Sequence, residues 1–188
     1  MLDELMQHAL RCVDTFLARE TLSGGDDTPC PYLPDRVARS EGFYLEGDLD
    51  PAIYRALMDR GFRRSGRVIY RPICAGCSQC IPYRVPVAGC APTRSLRRVR
   101  RRNQAVRVEV GDGHPTVEKF ALFQRYQVEH HDGTMAGDRE DFERFCHDAP
   151  LATRELCYFV GRRLVGVSIL DVVPGAVSSV YMYFDPAY

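Results

Sequence analysis

Cys74-Ala75-Gly76-Cys77-Ser78-Gln79-Cys80 contains two overlapping Cys-x-x-Cys steps. Such steps let neighbouring thiolates converge on one centre, and Gly76 lets the backbone curl back between them. A fourth thiolate would complete a site for tetrahedral zinc or for an iron–sulfur cluster, and spacing alone does not separate the two. Cys30, fixed between Pro29 and Pro31, is the first candidate for that position, and Cys90 is the alternative. The competing reading is that these are small buried residues at incidental spacing. Cys12, Cys146 and Cys157 fall on apolar faces and are expected in the core.

A second chemistry lies in the arginines. Between Asp59 and Glu109 there is no acidic residue, and thirteen arginines stand there: Arg60, Arg63, Arg64, Arg67, Arg71, Arg84, Arg94, Arg97, Arg98, Arg100, Arg101, Arg102 and Arg107. The formal net charge of the whole chain is zero, so the remainder is acidic and the molecule is dipolar. Arg94, Arg97, Arg98, Arg101 and Arg102 recur at spacings of three and four, which in a helix puts them on one broad face. Guanidinium groups so close together repel one another unless a partner brings negative charge. Their planar, bidentate donation suits phosphate, and their faces stack on bases, so the expected partner is RNA. The competing reading is a solvated helix face neutralised by acids from elsewhere in the fold. Lys119 is the only lysine, which marks a general preference for arginine in this chain.

These residues need elements to position them. Apolar residues at helical spacing predict a helix over 2–17. Residues 29–34, with three prolines, must follow an extended or turning path. A short strand is expected at 43–45. Asp50 and Pro51 open a helix that Gly61 closes. Residues 68–71 and 82–87 read as strands on either side of the cysteine knuckle. A helix is expected over 95–104, with Ser95 as its cap and Leu96 and Val99 as its anchors, followed by a strand over 105–110. Residues 111–115 (Gly-Asp-Gly-His-Pro) form the expected domain boundary. Helices over 116–131 and 138–145 follow, then a meander of strands over 156–160, 164–173 and 178–184.

With 188 residues the chain can form one large domain or two small ones. No apolar run approaches the roughly 20 residues of a membrane helix. Asp3, Glu4, His8, Arg11 and Asp14 break up any signal peptide. A cytoplasmic protein is therefore expected, and in that reducing compartment eight cysteines read as ligands or buried thiols rather than disulfides.

Several segments, in order, resemble one family. They are Cys30-Pro31-Tyr32-Leu33-Pro34-Asp35-Arg36, Gly61-Phe62-Arg63-Arg64-Ser65-Gly66, Tyr70-Arg71-Pro72 with the cysteine knuckle, and Ser95-Leu96-Arg97-Arg98 with Arg101-Arg102-Asn103. Together they resemble the N-terminal domain of the arginyl-tRNA–protein transferases, and more narrowly the bacterial aspartate/glutamate leucyltransferases. His130-His131-Asp132-Gly133 is similar to that family's His-x-Asp-Gly segment, and Ser179-Val180-Tyr181 with Phe184-Asp185-Pro186 to a strand of its acetyltransferase-like domain.

The resemblance implies an α+β fold: a leading helix and linker over 1–29, a small cysteine- and arginine-rich α+β domain over 30–112, and an acetyltransferase-like domain over 113–188. The family continues beyond the Phe-Asp-Pro strand, so this last domain is expected to be incomplete. The implied activity is transfer of leucine or arginine from charged tRNA to the α-amino group of proteins beginning with Asp or Glu, a mark for degradation. Arg94, Arg97, Arg98, Arg101 and Arg102 would hold the tRNA. One or two of Arg63, Arg64, Arg71 and Arg84, which lie near the cysteine knuckle in sequence, are expected to hold the acidic terminus, against the reading of tRNA contact or surface pairing. His130, His131 and Asp132 are the candidates for proton handling, against the reading of a plain helix end and turn. Cys30, Cys74, Cys77 and Cys80 would hold zinc or an iron–sulfur cluster, and no small organic cofactor is implied. Two other functions compete: a non-catalytic RNA-binding metal module, and a redox or metal sensor built on the four cysteines.

Overall fold

In the computed structural model, which describes residues 2–131, 133 and 137–188, the chain is a mixed α+β protein with five helices and three sheets among those residues. Its first half holds α1 (Leu2–Arg19), β1 (Ser23–Gly24), β2 (Thr28–Pro29), β3 (Val37–Ala38), β4 (Ser40–Tyr44), α2 (Pro51–Asp59), β5 (Arg63–Ser65) and β6 (Val68–Pro72). The main sheet runs in the order β1-β4-β6-β5, and β2 and β3 pair separately as a hairpin. Helix α2 starts as the sequence requires: the Asp50 carboxylate accepts from Ala52 N–H at 2.7 Å, and Pro51 gives up no needed donor. It stops at Arg60 because Gly61 turns the chain at φ +83°. Tyr54, Ala56 and Leu57 of this helix are buried against Val13 of α1 and Phe43, Phe62 and Ile69 beneath them.

The second half holds α3 (Arg94–Arg102), β7 (Val106–Asp112), α4 (Val117–His131), α5 (Arg139–Cys146), β8 (Thr153–Val160), β9 (Arg163–Val173) and β10 (Ala176–Phe184). The last three strands form the expected meander, and the antiparallel sheet runs β10-β9-β8-β7. Helices α4 and α5 cover one face through an aromatic cluster, in which Phe123 lies 5.1 Å from Phe142 and 5.5 Å from Tyr183 between ring centroids. Helix α5 begins with a reciprocal capping box between Asp138 and Asp141.

The two halves are joined by buried polar contacts as well as apolar ones. Arg64 of β5 donates from Nε and Nη2 to the two carboxylate oxygens of Asp171 in β9, both at 2.7 Å, and both side chains are almost fully buried. Tyr54 lies beside this pair; burial first, and then the Asp171 charge, push its hydroxyl well above the usual phenol range. Arg67 donates to the Leu45 carbonyl at 2.6 Å and to Asp148 at 3.0 Å. Gly66, at φ +56°, lets the β5–β6 turn approach α5 so closely that a Cβ there would stand 2.7 Å from the Arg144 carbonyl oxygen. Leu151 and Val173 from the second half are part of the first core. No helix among the described residues is long and apolar enough to cross a membrane.

Several local expectations change. Residues 82–87 form no strand; Pro82 and Pro86 remove alternate donors, and Ile81, Tyr83 and Val87 are exposed. Helix α3 is capped by Thr93 rather than Ser95, because the Thr93 hydroxyl accepts from Leu96 N–H at 3.2 Å. Leu96 and Val99 do not anchor this helix: they are 57% and 48% exposed, and no residue of α3 is buried. Strand β7, grouped by sequence with residues 30–112, pairs along its whole length with β8 and so belongs to the second sheet. Cys157 is partly rather than fully buried, as is Cys12, while Cys146 is in the core as expected.

Candidate functional site

The cysteine knuckle leaves β6 and is tied at once to the β3–β4 junction. Ile73 N–H donates to the Arg39 carbonyl at 2.8 Å, and Arg39 N–H donates to Cys74 Sγ at 3.3 Å. Gly76, at φ +67°, makes the tight curl, and Cys77 N–H donates to the Cys74 carbonyl at 3.3 Å. The other wall comes from the β2–β3 hairpin, which is closed by Cys30 N–H donating to the Arg36 carbonyl at 2.8 Å, with Asp35 at φ +59° completing the turn. Cys30, Cys74, Cys77 and Cys80 thereby line one cavity of about 690 Å³; Cys90 is not part of its lining. A set of four thiols is the donor chemistry that zinc and iron–sulfur clusters take. Among the described residues, no three His, Cys, Asp or Glu side chains are gathered closely enough to hold a metal ion, so no chemical step is routed through one.

The same cavity is lined by Arg36, Arg39 and Arg63, and among the described residues no carboxylate lines it. Of the four arginines that the sequence puts forward for an acidic terminus, only Arg63 is available there. Arg64 is a correction: β5 alternates, so Arg63 faces outward over the Tyr70 ring at 5.4 Å while Arg64 points inward to Asp171. Arg71 is paired with Glu41 and lies over the Phe62 ring at 4.6 Å. Arg84 is paired with Asp59. Arg36 and Arg39 are not among the cations expected from sequence; the signal for them is their position on either side of the Val37–Ala38 strand, shortly after Cys30.

Helix α3 presents the second cationic surface. None of its six arginines is buried, and among the described residues none forms an ion pair. Among the described residues, Arg97 is the one α3 arginine whose side chain has a backbone partner, donating to the Pro92 carbonyl at 2.6 Å. Elsewhere in the arginine stretch, Arg60, Arg64, Arg67, Arg71, Arg84 and Arg107 are each matched by a carboxylate. The competing reading, in which distant acids neutralise α3, finds no support among the described residues. Arg100, Arg101 and Arg102 fill its last turn, where cations suit the helix dipole.

His130 and His131 end α4; Asp132, the third proton-handling candidate, lies outside the described residues. The His130 ring stacks on Tyr126 at 5.0 Å, 27° from parallel, and lies 5.7 Å from Phe184. His131 meets Tyr126 edge-on at 5.1 Å. Next to Phe184, burial alone would raise the Asp185 carboxyl, but the Ala187 N–H and the Arg163 and Arg125 guanidiniums outweigh it and hold the acid below its ordinary value. A further polar group is not expected from sequence: Lys119, the single lysine, is partly buried and paired with the buried Glu155, whose second oxygen lies 3.6 Å from His147 Nδ1.

Residues 28–98 match the family model for the N terminus of arginine-tRNA-protein transferase, and residues 118–188 match that for its C terminus. An aspartate/glutamate leucyltransferase of Gluconacetobacter diazotrophicus is 38% identical over 161 residues, covering 84% of this chain and 62% of the relative. One of Pseudomonas savastanoi pv. phaseolicola is 37% identical over 175 residues, covering 92% and 74%. One of Gluconobacter oxydans is 40% identical over 163 residues, covering 84% and 67%. This chain thus spans between 62% and 74% of the length of these relatives. Two matched segments in family order, with this identity across most of the chain, establish that the protein belongs to the arginine-tRNA-protein transferase family, on the branch of the aspartate/glutamate leucyltransferases.

Proposed function

We propose that this protein transfers leucine from leucyl-tRNA to the α-amino group of proteins that begin with Asp or Glu, in the cytoplasm, as a mark for degradation. The names of the relatives favour leucine over arginine as the group carried. The observation that carries the reading is α3, a nine-residue helix with six arginines and no ion pair among the described residues. Such a surface is stable only in water or against a polyanion, and its guanidiniums match phosphate oxygens two at a time.

The bond made is an amide between the leucyl carbonyl carbon and the acceptor's α-nitrogen; the bond broken is the ester to the tRNA. The amine's reference pKa is about 7.7–8.0, so a useful fraction is already neutral and nucleophilic at pH 7. Placing amine and ester together is then the larger part of the task. The proton leaving the amine must reach the departing ribose oxygen, and His130 and His131, at the end of α4, are the side chains assigned to it. Arg94, Arg97, Arg98, Arg101 and Arg102 would grip the tRNA, and Arg63 would face the acidic acceptor. Cys30, Cys74, Cys77 and Cys80 line one cavity but are not gathered to ligand distance among the described residues, so they would have to draw together to hold zinc or an iron–sulfur cluster. The domain assignment that accompanies this reading is a cysteine-rich first unit and an acetyltransferase-like second unit built on the β7–β10 sheet.

Incubation with radiolabelled leucyl-tRNA and a peptide beginning with Asp tests the reading. Leucine should appear on the peptide, and not on the same peptide with an acetylated N-terminus. Equal or faster transfer from arginyl-tRNA would overturn the choice of donor, and no transfer from either would overturn the activity.

A further inference from the structure

We infer that the cavity lined by Arg36, Arg39 and Arg63 reads the acidic side chain of the acceptor's first residue, with Arg36 and Arg39 as specificity-determining residues beside Arg63. This rests on the transfer reaction proposed above. Three guanidiniums line the cavity, and among the described residues no Asp or Glu in its lining cancels them. Arg36 and Arg63 form no ion pair among the described residues. Arg39 has, among the described residues, only Asp27, at 3.9 Å, and both side chains are more than half exposed, so that contact is weak. A ligand carboxylate entering here would meet donors that are free to take it.

The three positions are held by the backbone. Arg36 stands at the closure of the β2–β3 hairpin, where its carbonyl receives Cys30 N–H. Both backbone groups of Arg39 are engaged by the knuckle, through Ile73 N–H and Cys74 Sγ. Arg63 is on β5, and its guanidinium rests on Tyr70. Such anchoring lowers the ordering cost of gripping a small anion. Apolar lining from Leu33, Ile81 and Pro82 gives the first peptide residues a wall to lie on.

An RNA end would make a different demand, namely open aromatic faces on which bases can stack. Here Tyr70 is covered by Arg63, and Phe62 is buried and covered by Arg71. Tyr32, at 71% exposure, is the one lining ring left open. The cavity therefore suits a carboxylate on a short apolar chain better than a base.

Binding of a fluorescent short peptide beginning with Asp, and of the same peptide beginning with Asn, followed by anisotropy without tRNA, tests this. The two peptides have nearly the same shape and differ by one charge. The unaltered protein should prefer Asp by about tenfold or more, since charge-assisted hydrogen bonds are roughly twice as strong as neutral ones. Arg36→Gln with Arg63→Gln should bring the two affinities to within about threefold, Arg39→Gln should lower the preference partway, and Arg36→Lys with Arg63→Lys should keep most of it. All three arginines are exposed, so folding is preserved, and circular dichroism checks this. An unaltered protein that does not distinguish the peptides, or glutamine variants that keep the full preference, would overturn the inference. So would variants that keep the preference but lose uncharged tRNA, which would give the cavity to the RNA end. Asp preference without leucine transfer would support the cavity and refute the reaction, so the two failures are separable.

Discussion

Arg63 and Arg64 are neighbours with opposite fates. In a strand successive side chains point to opposite faces, so one arginine must go in if the other stays out. Arg64 goes in, where Asp171 takes two of its donors. Breaking a buried pair from one side leaves an uncompensated charge. Arg64→Met should therefore destabilise the protein by about 3–5 kcal/mol in denaturant unfolding, with the Asp-over-Asn preference of the folded fraction unchanged. A stable variant that loses that preference would return Arg64 to the list of substrate contacts. No strand is expected from sequence over Arg63–Ser65, and three residues are too few for an apolar pattern to show which arginine faces the core.

His147 carries a second prediction at this scale. Burial first, and then the Lys119 charge, lower its pKa from the ordinary 6.5 to about 4, and among the described residues neither ring nitrogen has a hydrogen-bond partner. The Glu143 carboxylate pulls the other way, but more weakly than either. The unfolded ring takes up a proton near pH 6.5, while the folded ring waits until about pH 4. Stability from this group is thus fully present above pH 6.5 and is lost as pH falls towards 4, with a slope of at most about 1.4 kcal/mol per pH unit. His147→Gln should flatten that slope in unfolding curves taken between these pH values. A slope unchanged by the substitution would mean that another group is titrating.

At the scale of elements, the helices with strong periodicity or capping residues were legible: α1, α2, α4 and α5 all fall where 2–17, Asp50-Pro51, 116–131 and 138–145 put them. So was the final meander. What could not be read was pairing at a distance. Strand β7 is separated from β8 by two helices, and its alternation says nothing about which sheet receives it. Residues 82–87 alternate as a strand would, yet their prolines leave too few donors for a ladder. Helix α3 was legible as a helix and misread in its attachment, since Leu96 and Val99 are exposed. Because α3 buries nothing, replacing its six arginines with Gln should change global stability by less than about 0.5 kcal/mol. It should not lower helix content either, because like charges at three- and four-residue spacing oppose the helix. A large drop in the unfolding midpoint would show that α3 is part of the fold's core.

At the scale of the molecule, charge is sorted by use. In the arginine stretch, the guanidiniums that build the fold have carboxylate partners, as with Arg60–Asp14 and Arg67–Asp148. Those on α3 and Arg36 and Arg63 in the cavity have none among the described residues. The zero net charge of the chain conceals this division. The four cavity cysteines add a test at the same scale. Protein purified without oxygen should carry about one zinc ion or one cluster's iron per chain by elemental analysis, lost when Cys30, Cys74, Cys77 and Cys80 are changed together to Ser. Intact cysteines with neither metal bound would contradict that ligand set.

The proposed reaction depends on the α3 arginines, which form no ion pair among the described residues, holding the charged tRNA while the amine attacks. The most direct measurement is the initial rate of leucine transfer to an Asp-starting peptide as leucyl-tRNA is varied, for the unaltered protein and for Arg97→Gln/Arg98→Gln/Arg101→Gln. The expected result is a KM for leucyl-tRNA raised about tenfold or more, with kcat at saturation nearly kept and a salt dependence of KM that is shallower by about two to three counterions. An unchanged KM with an unchanged salt dependence would contradict the claim.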